Sequence, residues 1–199
     1  MHRRVAADLR EGEPAPTTLE IGAGTLNQLR YEPTVALFDV VEPFHALYAD
    51  AVERGRVRYF YDDIGELPPA ARYQRITSIA AFEHICDLPR VIALASQHLE
   101  PDGVLRVAIP SEGHMLWTLG WRLTTGLDFY LRYGLDYGVL MQHEHVNRAS
   151  EIESLLRLAF RQVSFELFGL TRACSLYQFF ECRNPDAAGV SALLAGQRP

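Results

Sequence analysis

Two glycines and two acidic residues occur at spacings that suit a nucleotide-sized ligand. Gly22 and Gly24 follow the apolar stretch TTLEI, and glycine permits a close backbone approach because it has no Cβ and tolerates positive φ. Glu42 stands about twenty residues further on, an interval at which a carboxylate accepts hydrogen bonds from both ribose hydroxyls. Asp63 ends a third apolar stretch, and Ile64 after it is suited to pack on an adenine ring. These residues indicate an adenosine-containing cofactor.

The loop around the glycines distinguishes two kinds of cofactor. A dinucleotide brings a pyrophosphate, which is held by a third glycine and an exposed helix N-terminus. This chain has Asn27 at the third glycine position and Glu20 directly before the loop. The Glu20 carboxylate would repel a pyrophosphate, whereas it suits the ammonium of an amino-acid tail. The loop therefore favours S-adenosylmethionine over a nicotinamide dinucleotide.

Strands and helices alternate along the chain from residue 17 to residue 110. Apolar runs without strict alternation are typical of strands buried on both faces, so the pattern predicts a parallel, doubly wound sheet. The predicted strands cover residues 17–21, 35–42, 56–64, 73–81 and 103–110. Further on, Ser150 and Glu153 form a capping-box pattern that predicts the start of a helix. The runs RQVSFELFG and SLYQFFECR then predict a closing antiparallel hairpin.

The chain length favours one domain, which we place at residues 1–185. Residues 111–149 are an insert rich in aromatic residues, which we interpret either as a lid or as an interface, including the contact of a homodimer. As a lid, the insert would favour an apolar or amphipathic acceptor molecule. Residues 186–199 are expected to form a loosely ordered tail.

The composition excludes several classes of protein. A net charge of -6 and a pI near 5.6 argue against a nucleic-acid partner, which requires clustered Lys and Arg. Cys86, Cys174 and Cys182 form no CxxC pair, so we expect buried, reduced thiols and no metal site, with a Cys174–Cys182 pair as the alternative. The sequence shows no secretory signal and no transmembrane segment, which predicts a soluble cytoplasmic protein.

Five stretches of this chain, in order, resemble the successive motifs of class I S-adenosylmethionine-dependent methyltransferases. They are TTLEIGAGTLNQL, VVEP, YFYDDIGELP, ITSIAAFEHI and LEPDGVLRVAIPSEG. The resemblance spans about residues 17–182 and implies an α/β, Rossmann-like fold with a seven-stranded, mostly parallel sheet and an antiparallel last strand. It also implies methyl transfer from S-adenosylmethionine to a small-molecule acceptor with an oxygen, nitrogen or carbon nucleophile.

The resemblance assigns the cofactor contacts to the ends of four strands. The methionine part would be bound by Glu20, Gly22, Ala23 and Gly24, the ribose by Glu42, the adenine by Asp63 and Ile64, and the sulfonium side by Ala81, Phe82 and Glu83. Many members close over the cofactor with N-terminal helices, but about sixteen residues precede the first predicted strand here. That cover would come from the 111–149 insert or from an upstream segment.

Three histidines are candidates for a catalytic base, which is needed only if the acceptor has a high pKa. His84 follows Glu83 and is interpretable as a base, as a pocket wall or as a helix-start residue that faces away. His143 and His145 precede the predicted helix, and His145 is also interpretable, with Asn147, as a structural hydrogen-bonding residue. The HEH sequence lacks the HExxH pattern of a zinc site, so a metal is not expected.

Two other functions are compatible with parts of the pattern. A Rossmann oxidoreductase dependent on NAD(P) would use the same glycines, although the third glycine is missing and Glu20 is unfavourable. A non-catalytic cofactor-binding or interaction domain would be consistent with the short segment before the first predicted strand and with the aromatic insert.

Overall fold

A seven-stranded sheet is formed by the residues that the computed structural model describes, namely 1–10, 12–34, 36–111, 146–169, 171 and 175–196. The strands are β1 (Thr18–Ile21), β2 (Phe38–Val41), β3 (Val57–Tyr61), β4 (Tyr73–Ile79), β5 (Leu99–Pro110), β6 (Phe160–Gly169) and β7 (Ser175–Pro185). Their order across the sheet is β3-β2-β1-β4-β5-β7-β6. Strands β1 to β5 are parallel, and β7 is antiparallel to both β5 and β6. The predicted α/β fold and the closing hairpin are confirmed.

Five α-helices and several 3₁₀ turns precede, connect or follow the strands in the described residues. The α-helices are α1 (His2–Val5), α2 (His45–Tyr48), α3 (Leu88–Gln97), α4 (Ala149–Ala159) and α5 (Ala187–Leu194). The 3₁₀ turns are Ala6–Asp8, Asn27–Tyr31, Val52–Arg56, Ile64–Glu66 and Phe82–His84. In these parts of the chain, no helix is long and apolar enough to cross a membrane.

One face of the sheet is apolar and packs against α3, α4 and α5. Leu19 and Ile76, which are paired across β1 and β4, both point to this face. Helix α5 adds Val190 and Leu193 to the same core. It lies very close to α4, because a Cβ on Gly189 would be 1.8 Å from the Leu158 carbonyl oxygen. The burial of α5 makes the prediction of a loose tail at 186–199 wrong for residues 187–194.

The opposite face of the sheet carries two buried arginines, which hold the N-terminal segment. Arg75 donates to the Asp8 carboxylate (2.9 Å), to both Glu32 oxygens (2.9 and 3.0 Å) and to the Val5 carbonyl (2.6 Å). Arg106 donates to the Val5 carbonyl (2.8 Å) and to the Glu181 carboxylate. Because a buried charge is costly unless it is paired and hydrogen-bonded, these contacts fix the segment across β4 and β5.

The start of α4 corrects the predicted cap. The helix begins at Ala149, so Ser150 lies in its first turn instead of at the N-cap. The Glu151 carboxylate accepts from the Arg148 backbone N–H at 2.8 Å. Since this glutamate satisfies an otherwise unpartnered backbone donor, the helix starts without a Ser or Thr cap.

Other sequence predictions differ in detail or lie outside the described residues. Strand β5 begins at Leu99, four residues before the predicted start, because Leu99 pairs with Tyr73. Cys182 is buried as expected, but Cys86 is exposed, since it lies in the loop before α3. Cys174 and residues 112–145 of the insert lie outside the described residues.

Replacing Arg75 with Ala is expected to lower the free energy of unfolding by about 3–5 kcal/mol, because the buried Glu32 carboxylate loses the cation paired with it. Urea unfolding followed by circular dichroism measures the change. Arg72→Ala is the matched control, because within the described part of the chain the exposed Arg72 side chain donates only to the carbonyls of Pro69 and Ala71. A loss at Arg75 no larger than at Arg72 would show that the network is not required.

Candidate functional site

A cleft of about 440 Å³ opens at the carboxyl ends of the parallel strands. Its walls come from the loops after β1, β2, β3 and β4, together with Val91 of α3. The chain runs from β1 through β2 to β3 in one direction, and then crosses back to place β4 on the other side of β1. Such a reversal leaves a crevice beside the first strand, which is where open α/β sheets bind ligands.

The loop after β1 requires glycine at its first position. Gly22 has a φ of 72°, and a Cβ there would lie 2.3 Å from the Ala81 Cβ. The β1 and β4 loops therefore touch only because Gly22 has no side chain. Gly24 has a φ of 52° and open space where its Cβ would be. Ala23, between them, is buried in a separate cluster with Leu26 and does not line the cleft.

Glu42 joins the loops after β1 and β2. Its side chain is buried, yet it contributes to the cleft wall. One carboxylate oxygen accepts from the Gly24 backbone N–H at 2.8 Å, and the other accepts from the Phe44 N–H at 2.9 Å. Each carboxylate oxygen has about two acceptor sites, so both retain capacity for a ligand hydroxyl.

Asp63 is held at the cleft by a cation that the sequence did not indicate. Arg90 of α3 donates to both Asp63 oxygens, at 2.8 and 3.1 Å, and the Gly65 N–H donates at 2.7 Å. These hydrogen bonds, led by that from Arg90, lower the pKa of Asp63. Ile64 is buried beside Asp63 and lines the cleft. Arg90 is 27 residues from Asp63, so only the packing of α3 brings the two together.

The loop after β4 places His84 and Ala81 on the cleft wall but turns Phe82 and Glu83 inward. Phe82 is fully buried in the main core, and Glu83 is 2 % exposed. Burial raises the pKa of the Glu83 carboxyl to about 7. One Glu83 oxygen lies 3.9 Å from His84 Nε2, and the other has no hydrogen-bond partner among the described residues.

Glu20 lies on the polar face of the sheet, outside the cleft wall. Burial raises the pKa of Glu20 well above its usual value, the nearby Glu32 and Glu42 raise it further, and Arg75 opposes them. Its Oε2 atom has no hydrogen-bond partner in the described residues. A neutral carboxyl is favoured in this position, because burial penalises the charged form.

The structure therefore brings most of the predicted site residues to one cleft. The residues that line it are Gly22, Gly24, Glu42, Asp63, Ile64, Ala81 and His84. Glu20, Ala23, Phe82 and Glu83 support this region from beneath or behind. His143 and His145 lie outside the described residues. Asn147 donates to two backbone carbonyls, which confirms its predicted structural role.

Gly22→Ala is expected to distort the β1 and β4 loops, since the new Cβ would overlap the Ala81 Cβ at a positive φ. We expect a loss of about 2–4 kcal/mol in the free energy of unfolding, measured in urea, from strain and overpacking together. The control is Gly24→Ala, which adds a Cβ in open space at a similar φ. Equal losses in the two variants would show that contact with Ala81 is unimportant.

Glu83→Gln is expected to change how stability depends on pH. The pKa of Glu83 in the folded protein is about 7, above its ordinary value of 4.5. The contribution of Glu83 to stability is therefore fully present below pH 4.5, and it is lost as the pH rises through 7. Between pH 5 and pH 8 the wild type should lose on the order of 2–3 kcal/mol relative to Glu83→Gln. Urea unfolding at several pH values measures the difference, and a difference independent of pH would contradict the burial argument.

Comparison with known families matches residues 2–166 to a family model described as "Methyltransferase domain". No curated protein matches the chain by sequence.

Several solved structures share the fold. An S-adenosylmethionine-dependent methyltransferase of Thermotoga maritima is 16% identical with a TM-score of 0.62, over 92% of this chain and 86% of that one. The N-methyltransferase NodS of Bradyrhizobium japonicum WM9, in complex with S-adenosyl-L-homocysteine, is 16% identical with a TM-score of 0.61, over 92% of this chain and 86% of that one. Phosphoethanolamine N-methyltransferase 2 of Haemonchus contortus, in complex with S-adenosyl-L-methionine, is 13% identical with a TM-score of 0.62, over 93% of this chain and 52% of that one. At these identities the structures establish a common fold.

Proposed function

The chain belongs to the class I S-adenosylmethionine-dependent methyltransferases, and we propose that the cleft binds this cofactor for methyl transfer to a small-molecule oxygen, nitrogen or carbon nucleophile. The observation that carries the proposal is Glu42, whose carboxylate bridges the Gly24 and Phe44 backbones at the cleft wall. The family assignment sets aside the oxidoreductase alternative that the sequence left open.

The cleft fits the cofactor in size and in the character of its walls. Its volume of about 440 Å³ falls within the ordinary range of ligand pockets. Glu42 retains acceptor capacity for the two ribose hydroxyls. Asp63 and Ile64 lie together after β3, where a carboxylate and an apolar side chain suit the amino group and the ring of adenine. The open space at Gly24 leaves its backbone accessible from the cleft.

The turn after Gly24 argues against a pyrophosphate ligand. A pyrophosphate is normally held at the N-terminus of an α-helix that follows the first strand. Here β1 is followed by the short 3₁₀ turn Asn27–Tyr31, which Leu26 precedes in a left-handed conformation with a φ of 61°.

The residues around the cleft would position the reactants and exclude water. S-adenosylmethionine, when bound, supplies a methyl group activated by its sulfonium. Glu42 and the Gly22–Gly24 backbone would orient the nucleoside and amino-acid parts, and this kind of positioning supplies much of the catalysis in such transfers. The contact of Glu20 with the ammonium of the amino-acid tail stays a prediction, and it requires the charged form of the carboxyl, which a nearby cation favours. Ala23, Phe82 and Glu83 would support the walls from behind.

His84 is our candidate for the group that accepts a proton from the acceptor, because it lines the cleft beside Ala81. His143 and His145 stay predictions for the same role. Phe44, which is 70% exposed at the cleft, together with Leu47 and Ile85, supports an apolar or amphipathic acceptor. The net charge of -6 supports an acceptor other than nucleic acid. A cytoplasmic location, a homodimer and the lid or interface role of 111–149 stay predictions.

Isothermal titration calorimetry with S-adenosylmethionine, S-adenosylhomocysteine and NAD tests the proposal. We expect micromolar binding of the first two ligands and none of NAD. Glu42→Ala should weaken S-adenosylmethionine binding about 100-fold, because two hydrogen bonds to a charged group are lost. Glu13→Ala is the control, since exposed Glu13 pairs only with Arg10 among the described residues.

An acceptor screen with a radiolabelled methyl donor follows if the cofactor binds. Unchanged affinity in Glu42→Ala would contradict the site assignment. Binding of NAD alone would contradict the proposed cofactor. Binding of none of the three ligands would favour the non-catalytic interaction domain considered from the sequence.

A further inference from the structure

We propose that Asn147 is a positioning residue that fixes the β4 side of the cleft and thereby controls affinity for the amino-acid end of the cofactor. The inference rests on the proposed function, since it concerns the same cleft. Asn147 does not itself line the cavity. It acts through the loop of residues 81–85, which does.

The loop after β4 needs hydrogen-bond donors from outside. The 3₁₀ turn Phe82–His84 is a single turn, and its carbonyl groups lack partners within the turn, as at any helix end. Within this loop, the backbone hydrogen bond that closes the turn runs from the His84 N–H to the Ala81 carbonyl at 2.9 Å. A loop of this kind keeps one shape only when other groups satisfy the remaining carbonyls.

Asn147 and Val146 supply these donors. The Asn147 side-chain amide donates to the Phe82 carbonyl at 2.8 Å and to the Ile85 carbonyl at 2.6 Å. The backbone N–H groups of Val146 and Asn147 both donate to the Glu83 carbonyl, at 2.9 and 3.2 Å. Four hydrogen bonds thus converge on three carbonyls of one short loop, and we call this set the Asn147 clamp.

The clamp is connected to the glycine loop by direct packing. Ala81 precedes the clamped turn, and its Cβ occupies the space that a side chain on Gly22 would need. His84 and Ile85 lie on the cleft wall beside it. Release of the clamp would let this wall move away from Gly22, which widens the part of the cleft next to the β1 loop.

The adenosine side of the cleft is held by different contacts. Glu42 is fixed by the backbone N–H groups of Gly24 and Phe44, and Asp63 by Gly65 and Arg90. None of these described contacts involves Asn147. Loss of the clamp should therefore affect the two ends of the cofactor unequally, whereas general destabilisation would affect both.

The experiment compares ligands in the full-length Asn147→Ala and Asn147→Asp variants, which both lack the amide donor. We expect S-adenosylmethionine and S-adenosylhomocysteine to bind about tenfold more weakly, consistent with the loss of one or two hydrogen bonds. Adenosine affinity should stay within about twofold of the wild type. Ser150→Ala, an exposed change three residues away in the first turn of α4, is the control.

The outcomes separate this inference from the proposed function. Equal weakening of adenosine and S-adenosylmethionine would overturn the positioning role, and so would unchanged affinity for both. If Asn147→Ala does not fold, Asn147→Asp and Asn147→Ser provide the same ligand comparison. A wild-type protein that binds adenosine but neither complete cofactor would contradict the proposed function instead.

Discussion

The arrangement of this protein depends on the two arginine charges buried on one face of its sheet. Arg75 and Arg106 are each about 1% exposed, in positions where a sheet face usually carries apolar residues. Their charges are stable there only because carboxylates and carbonyls surround them. The partners come from three regions distant in sequence, namely Arg4–Asp8, Glu32, and Glu181 of β7. One electrostatic requirement thus positions the N-terminal segment, the first connection and the closing hairpin together.

The polar face that holds the two arginines also extends beneath the cleft. Glu20 lies on the arginine face, near Glu32, and directly beneath the glycine loop. Its burial favours the neutral carboxyl, so the β1 loop rests on an uncharged acid instead of on a buried anion. Above it, the loops are joined by hydrogen bonds to backbone groups, from Gly24 to Glu42 and from Asn147 to the β4 loop. Polar contacts therefore join the strand-end loops around the cleft, while Ile64 and Val91 of the main apolar core contribute to its walls.

The sequence predicted the parts that are encoded locally or at fixed intervals. Apolar runs marked the strands, and the spacing from Gly22 to Glu42 to Asp63 identified three loops that do meet. Contacts between distant residues left no such signal, as with Arg90 and Asp63 or Arg75 and Asp8, which lie 27 and 67 residues apart. The predicted cap at Ser150 was wrong because Glu151 accepts from the backbone N–H of Arg148, two residues before Ser150. The predicted loose tail was wrong because the burial of α5 depends on the surface that α3 and α4 present.

The hairpin order has a consequence for how the chain folds as it is made. Strand β6 pairs only with β7 in the described sheet, and β7 lies between β6 and β5. Because synthesis proceeds from the N-terminus, β1 to β5 are available for pairing while β6 still has no neighbour. The part of the apolar surface that α5 covers also stays open to water until residues 187–194 have been translated. A ribosome that stalls before β7 would therefore release a chain with an unpaired strand edge and an uncovered apolar surface, which is a substrate for chaperones and for aggregation.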